Sequence, residues 1–146
     1  MIMNLVDDLN VLLADLAVFY RKLQNYHWYV TGEDFFVIHE KLEEYYNDVN
    51  EEIDMIGEHI LTLGGQPVAT LKDYLGLTTI QEASNQKIKI EVVFHNLLFD
   101  LNEILKKCIQ IKEKADDAKD YITSNRMDDF LQNYSKKIWM LGQCIE

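Results

Sequence analysis

The sequence predicts an all-α fold: four long helices in a bundle, with one long connection in the middle of the chain. Three observations predict it. A single proline (Pro67) and six glycines interrupt 146 residues, too few breakers for a strand-rich fold with many turns. Apolar residues recur at spacings of three and four along four separate stretches. Between the second and third stretch, from Gln66 to Gln86, that periodicity fails. With 48% hydrophobic and 27% charged residues, the composition is that of a globular chain, and the length suits one domain, 1–146, with a real core.

The first helix is expected from Leu5 to Val30, with Leu5, Leu9, Leu12, Leu13, Leu16, Phe19, Leu23, Tyr26 and Val30 as its inner stripe. Gly32 is placed to stop it and Asp34 to cap its successor. The second runs from Phe35 to Leu63 through Ile38, Leu42, Tyr45, Tyr46, Val49, Ile53, Ile56 and Ile60, and ends at Gly64-Gly65 with Pro67 beyond. Within the connection, Leu71–Leu75 and Thr79–Ser84 each suit a short helical turn. The third helix spans Lys87 to Lys114, with Ile90, Val93, Phe94, Leu97, Leu101, Ile104, Leu105 and Ile111 inside. A polar link, Ala115–Ala118, leads to the fourth, Lys119 to Cys144, whose stripe takes in Tyr121, Ile122, Phe130, Leu131, Tyr134, Ile138 and Leu141. The long connection points to a crossover; an up-down-up-down bundle is the alternative.

No apolar run reaches the roughly 18–20 residues of a membrane span. The first ten residues carry two aspartates and no lysine or arginine, unlike the basic start of a secretory signal, so a cytoplasmic location is expected. Cys108 and Cys144 match neither a redox CxxC nor a zinc spacing and are expected as separate thiols. The net charge of −11 repels nucleic acid and attracts cations.

Imidazoles and carboxylates that suit iron, manganese or zinc concentrate in three places: His27 near the end of the first helix, His39 and Glu43 early in the second, and Asp54 and Glu58 late in the second. At about 100° per residue, His39, Glu43, Asp54 and Glu58 fall near ~0°, ~40°, ~60° and ~100°, on one stripe. Fifteen residues, roughly 22 Å, separate His39 from Asp54, so they do not share an ion within one chain. Two second helices packed antiparallel and crossing near Asp48 bring His39 and Glu43 of one chain to Asp54 and Glu58 of the other, with His27 alongside, at two equivalent shared sites. Taken singly, each residue has an ordinary explanation: a solvated acid, a hydrogen-bonded core histidine, a boundary histidine. No Glu-x-x-His occurs, which disfavours a di-iron centre inside one bundle.

Leu9-Asn10, Leu16, Asn25-Tyr26-His27-Trp28 through Gly32, Phe35-Phe36, His39-Glu40-Lys41, Tyr45, Glu58 to Leu63, Gly64-Gly65, Pro67, Thr70-Leu71-Lys72 and Lys137-Ile138-Trp139-Met140 together resemble the Dps family. The resemblance covers nearly the whole chain and is densest from Leu9 to Leu75. It implies a ferritin-like four-helix bundle with a short helical segment in the connection, and a twelve-subunit shell. It also implies ferroxidase sites at the two-fold interfaces, iron storage, and protection against oxidative stress with hydrogen peroxide as oxidant. Carried over residue by residue, the iron ligands are His27, His39 and Glu43 of one subunit with Asp54 and Glu58 of its mate. The family usually has aspartate where Glu43 stands. Trp28 resembles the tryptophan that family members hold close to the iron. Asp116, Asp117 and Asp120 are candidates for an acidic pore at a three-fold axis, although Tyr121 and Asn125 stand where aspartate is frequent; helix-capping aspartates are the competing reading.

Two other functions compete. Many members bind DNA through a lysine-rich tail, but no basic residue here precedes Arg21 and the chain stops at Glu146 just after the fourth helix. Direct DNA binding is therefore disfavoured, with divalent-cation bridging left open. A helical scaffold without metal chemistry is the third reading.

Overall fold

The computed structural model describes residues 2–145, with side chains from Leu5 onward. In chain order the elements are α1 (Ile2–Tyr29), β1 (Val30–Thr31), α2 (Phe35–Thr62), α3 (Leu71–Leu77), β2 (Ile88–Lys89), α4 (Ile90–Asp117) and α5 (Tyr121–Gly142). The four long helices bury the apolar stripes read from the sequence. Leu9, Leu12, Leu16 and Leu23 of α1 meet Leu42, Val49, Ile56 and Ile60 of α2, Val93, Leu97, Leu101 and Ile104 of α4, and Met127, Phe130 and Tyr134 of α5 in one core. Each such side chain contributes about 1.5–3 kcal/mol by leaving water.

Polar bonds between helices fix their directions. From α1 to α4 the pairs are Asp8–Lys114, Asp15–Lys107, Lys22–Asp100 and Tyr26–Asn96. One number falls as the other rises, so the helices are antiparallel. The same holds for α2 against α5, through Asp48–Lys137, Glu52–Tyr134 and His59–Thr123, and for α1 against α2, through Tyr20–Tyr46 and His27–His39. Hence α2 and α4 run parallel, and the chain crosses the length of the bundle between them. That settles the topology as the crossover type and excludes up-down-up-down.

Polar side chains of α1 strap this crossing in place. Asn10 accepts from Val68 N at 2.9 Å and donates to Gln66 O at 3.0 Å. Asp15, 1% exposed, accepts from Thr78 Oγ1 (2.8 Å), Thr79 N (2.6 Å), Thr79 Oγ1 (3.0 Å) and Lys107 Nζ (2.5 Å). Asn25 donates to Ser84 O at 3.1 Å. The crossing closes in a parallel pairing of β1 with β2, Val30 opposite Ile88. Gly32 follows at φ +149°, a backbone conformation that residues with a Cβ rarely adopt, and packs close against the Ile90 side chain.

Several expectations need correction. Thr79–Ser84 is not helical, because Asp15 takes the Thr79 N–H and both threonine hydroxyls and side-chain acceptors compete with helix formation. Val30 leaves the first helix for β1, and Lys87–Lys89 precede α4 as coil and β2. The link lies at Ala118–Asp120, three residues later than expected, where Lys119 adopts φ 59° as Asp120 N reaches back to Ala115 O at 2.8 Å, a helix-ending turn. Asp34 sits before α2 without a side-chain cap bond; its backbone oxygen accepts from Ile38 N instead. Tyr121 and Ile122, expected inside, are 63% and 68% exposed; Thr123 and Ser124 turn inward at that end of α5 instead, against His59 and Lys112.

Candidate metal centre

His27 stands on the last turn of α1 and His39 on the second turn of α2, facing each other across the helix pair. Each imidazole hydrogen-bonds the other residue's backbone: His27 Nδ1 to His39 O at 2.6 Å, and His39 Nδ1 to His27 O at 2.7 Å. A carbonyl oxygen only accepts, so both Nδ1 atoms carry the hydrogen. In the neutral imidazole each Nε2 is then a bare lone pair, the form that binds a metal ion. The rings stack at 3.6 Å and 9°, with Phe35 stacked on His39 at 4.9 Å and Tyr46 edge-on to His27 at 5.4 Å. His27 is buried and His39 half-buried, so neither ring has rotameric freedom to lose on binding.

Glu43 lies one turn beyond His39. Its Oε1 is 3.7 Å from His27 Nε2 and 3.4 Å from the Tyr46 hydroxyl, which donates to it. Ligand bonds of about 2.1 Å to nitrogen and oxygen subtend that gap at roughly 120°, so one first-row divalent ion fits between them. His27 and Glu43 thus come together within one chain, with His39 stacked on His27.

Asp54 and Glu58 do not join them. Both are exposed on α2, which is continuous from Phe35 to Thr62 and so keeps Asp54 roughly 22 Å from His39. Among the described residues no group of three or more His, Cys, Asp or Glu is gathered closely enough to hold an ion by itself. The single chain presents two separated sets of candidate ligands on one stripe of α2. Trp28, beside His27, is 63% exposed. Asp116 and Asp117 are exposed. Asp120 serves as the cap of α5, accepting from Thr123 N at 3.1 Å and Thr123 Oγ1 at 2.5 Å.

Three features escaped the sequence reading. Tyr46 follows the spacing of the core stripe, yet its hydroxyl reaches Glu43. Glu52 is buried within the α2–α5 seam and accepts from Tyr134 at 2.8 Å; burial pushes its carboxyl up from 4.5 to about 7 against the opposing pull of Lys137. It falls three residues after Val49 and four before Ile56, so the spacing alone marked it as inward. Lys22 and Asp100 form a buried ion pair at 2.7 Å that no local pattern announces. Both cysteines are free: Cys108 is buried, which pushes its thiol far up, and Cys144 is exposed.

A ferritin-like domain model matches residues 6–146. The chain is similar to DNA protection during starvation protein 2 of Bacillus anthracis, 39% identical over 141 residues and covering 94% of either chain. General stress protein 20U of Bacillus subtilis is 36% identical, again with 94% of each chain covered. Among solved structures, antigen TpF1 from Treponema pallidum superposes with a TM-score of 0.97 at 36% identity, over 99% of this chain and 93% of that one. The DPS protein from Vibrio cholerae O1, described as a member of a broad superfamily of ferritin-like diiron-carboxylate proteins, gives 0.96 at 33% identity, over 99% and 91%.

Proposed function

Because this chain belongs to the Dps family of ferritin-like proteins, we propose that it is an iron-storage and detoxification mini-ferritin of the cytoplasm, a ferroxidase whose active sites form between subunits. Its substrates are Fe(II) and hydrogen peroxide, or dioxygen, and ferric mineral is stored inside a hollow dodecamer. Two Fe(II) ions each give one electron to one peroxide, which with two protons leaves as two waters, so no hydroxyl radical is released.

The observation that carries this reading is the symmetry of the exposed stripe on α2. His39 with Glu58, Glu43 with Asp54, and the exposed apolar pair Phe36 (83%) with Leu61 (59%) are each centred on the Asp48–Val49 peptide. Two copies of α2 packed antiparallel across a two-fold axis therefore join each histidine half-site to an acidic one and cover Phe36 with Leu61 in the same step. The protein's part is to present Nε2 lone pairs and carboxylates at fixed spacing; electron transfer belongs to the iron. Asp116 and Asp117 are the acids available at an entry pore, since the Asp120 carboxylate is committed to its helix cap. Relatives are named for DNA protection; in a chain of net charge −11, removing Fe(II) and peroxide protects DNA without touching it.

The test is to load the protein anaerobically with Fe(II), add hydrogen peroxide, and separate protein from free iron by gel filtration. Iron eluting with a large assembly at many atoms per subunit is the expected result. Precipitation as in buffer alone would overturn the ferroxidase reading and leave a helical scaffold.

A further inference from the structure

One hydrogen bond on the α1–α2 surface ends on the half-site, and its direction is fixed. A carboxylate oxygen only accepts, so Tyr46 directs its single proton to Glu43 Oε1, 3.4 Å away. The tyrosine ring has little freedom to turn, standing edge-on to Tyr20 at 5.6 Å and 80° and to His27 at 5.4 Å and 82°. Glu43 lacks any comparable restraint of its own: its side chain is 54% exposed and longer than an aspartate by one methylene.

We propose that Tyr46 is a positioning residue that selects the binding rotamer of Glu43, holding one lone pair of Oε1 so that the other faces an ion beside His27 Nε2. The inference rests on the half-site reading above and adds what makes a flexible glutamate serve there. Without the hydroxyl the carboxylate samples several rotamers in water, and ordering it is charged against metal affinity. A hydrogen-bonded ligand oxygen is also directed toward single-oxygen coordination, which tunes the ion's geometry as outer partners do.

Co(II), which binds nitrogen and oxygen ligands and reports its geometry in the visible spectrum, is the probe. In the assembled protein, Tyr46→Phe keeps the ring contacts and removes only the hydroxyl. It is expected to weaken Co(II) binding about tenfold and to shift the visible bands, with thermal midpoint and assembly size unchanged. The decisive comparison is a double-mutant cycle with Glu43→Asp. The shorter carboxylate does not reach Tyr46, so Tyr46→Phe should cost nothing further in that background. Equal losses in both backgrounds, or unchanged affinity and spectrum in Tyr46→Phe alone, would overturn the proposal. Failure of the parent protein to bind Co(II) would instead overturn the half-site reading on which it stands.

Discussion

Asp15 and Glu43 are both acids on long helices, and the structure uses them in opposite ways. Asp15 lies in the α1–α4 seam, almost wholly out of solvent, with donors from Thr78, Thr79 and Lys107 occupying both oxygens. Glu43 lies at the α1–α2 tip, more than half exposed, with one long hydrogen bond and a bare imidazole nitrogen nearby. The first region has no coordinating capacity left for a ligand; the second keeps its carboxylate open to solvent. A carboxylate's function follows from the donors that its surroundings supply, not from its residue type.

That contrast can be broken most forcefully at the tip. Replacing His27 and His39 together by alanine should reduce peroxide-driven Fe(II) oxidation, followed by stopped-flow absorbance, to the rate of iron in buffer, while gel filtration still shows the assembled protein. Fast oxidation in this double variant would remove the histidines from the site. The seam should respond in the reverse manner. Asp15→Ala strands Lys107 and the Thr79 N–H and loosens the crossing, at a cost of about 3–5 kcal/mol in urea denaturation. The fraction that remains folded should bind Co(II) as the parent does. Metal binding lost in proportion to stability would mean that the two regions are not separable.

Glu52 sharpens the comparison as an intermediate case, buried like Asp15 but less fully compensated. Its folded value of about 7 exceeds the 4.5 of the free side chain. Below the lower value both states hold the proton and burial costs nothing. As pH rises from 4.5 to 7 the unfolded chain releases a proton that the folded chain retains, so stability falls; above 7 the loss is constant. Glu52→Gln keeps an acceptor for Tyr134 and removes the titration. It should gain about 3 kcal/mol on the parent between pH 5 and pH 8, read from urea midpoints at the two values. A difference independent of pH would show that Glu52 is ionised in the fold throughout.

The helices and the metal-type stripe were legible because both depend on spacing within one segment. Leu9 to Leu23 and Val93 to Ile104 announce buried faces, and His39, Glu43, Asp54 and Glu58 share a face whatever surrounds them. What escaped depends on partners distant in sequence. The tautomers of His27 and His39 are set by each other's carbonyl oxygens, which no side-chain pattern encodes. Thr79–Ser84 read as helical because nothing local reveals that Asp15 claims the donors there. Tyr121 and Ile122 are exposed because, at about 100° per residue, they lie roughly 120–140° from the face of Tyr134, which Thr123 and Met127 continue at that end of α5.

The strapped crossing also bears on the order in which the chain assembles. His27 and His39, like Lys112 and Ser124, are 12 residues apart, so the α1–α2 and α4–α5 hairpins close short loops. The strap bonds from Asn10, Asp15 and Asn25 join residues 56 to 64 apart and carry a larger closure entropy. Hairpin formation followed by docking is the favoured sequence of events, with the strap as the late latch. The histidine pair belongs to the early hairpin and the Asp15 strap bonds to the late latch, so a nascent chain brings His27 onto His39 before it completes its bundle.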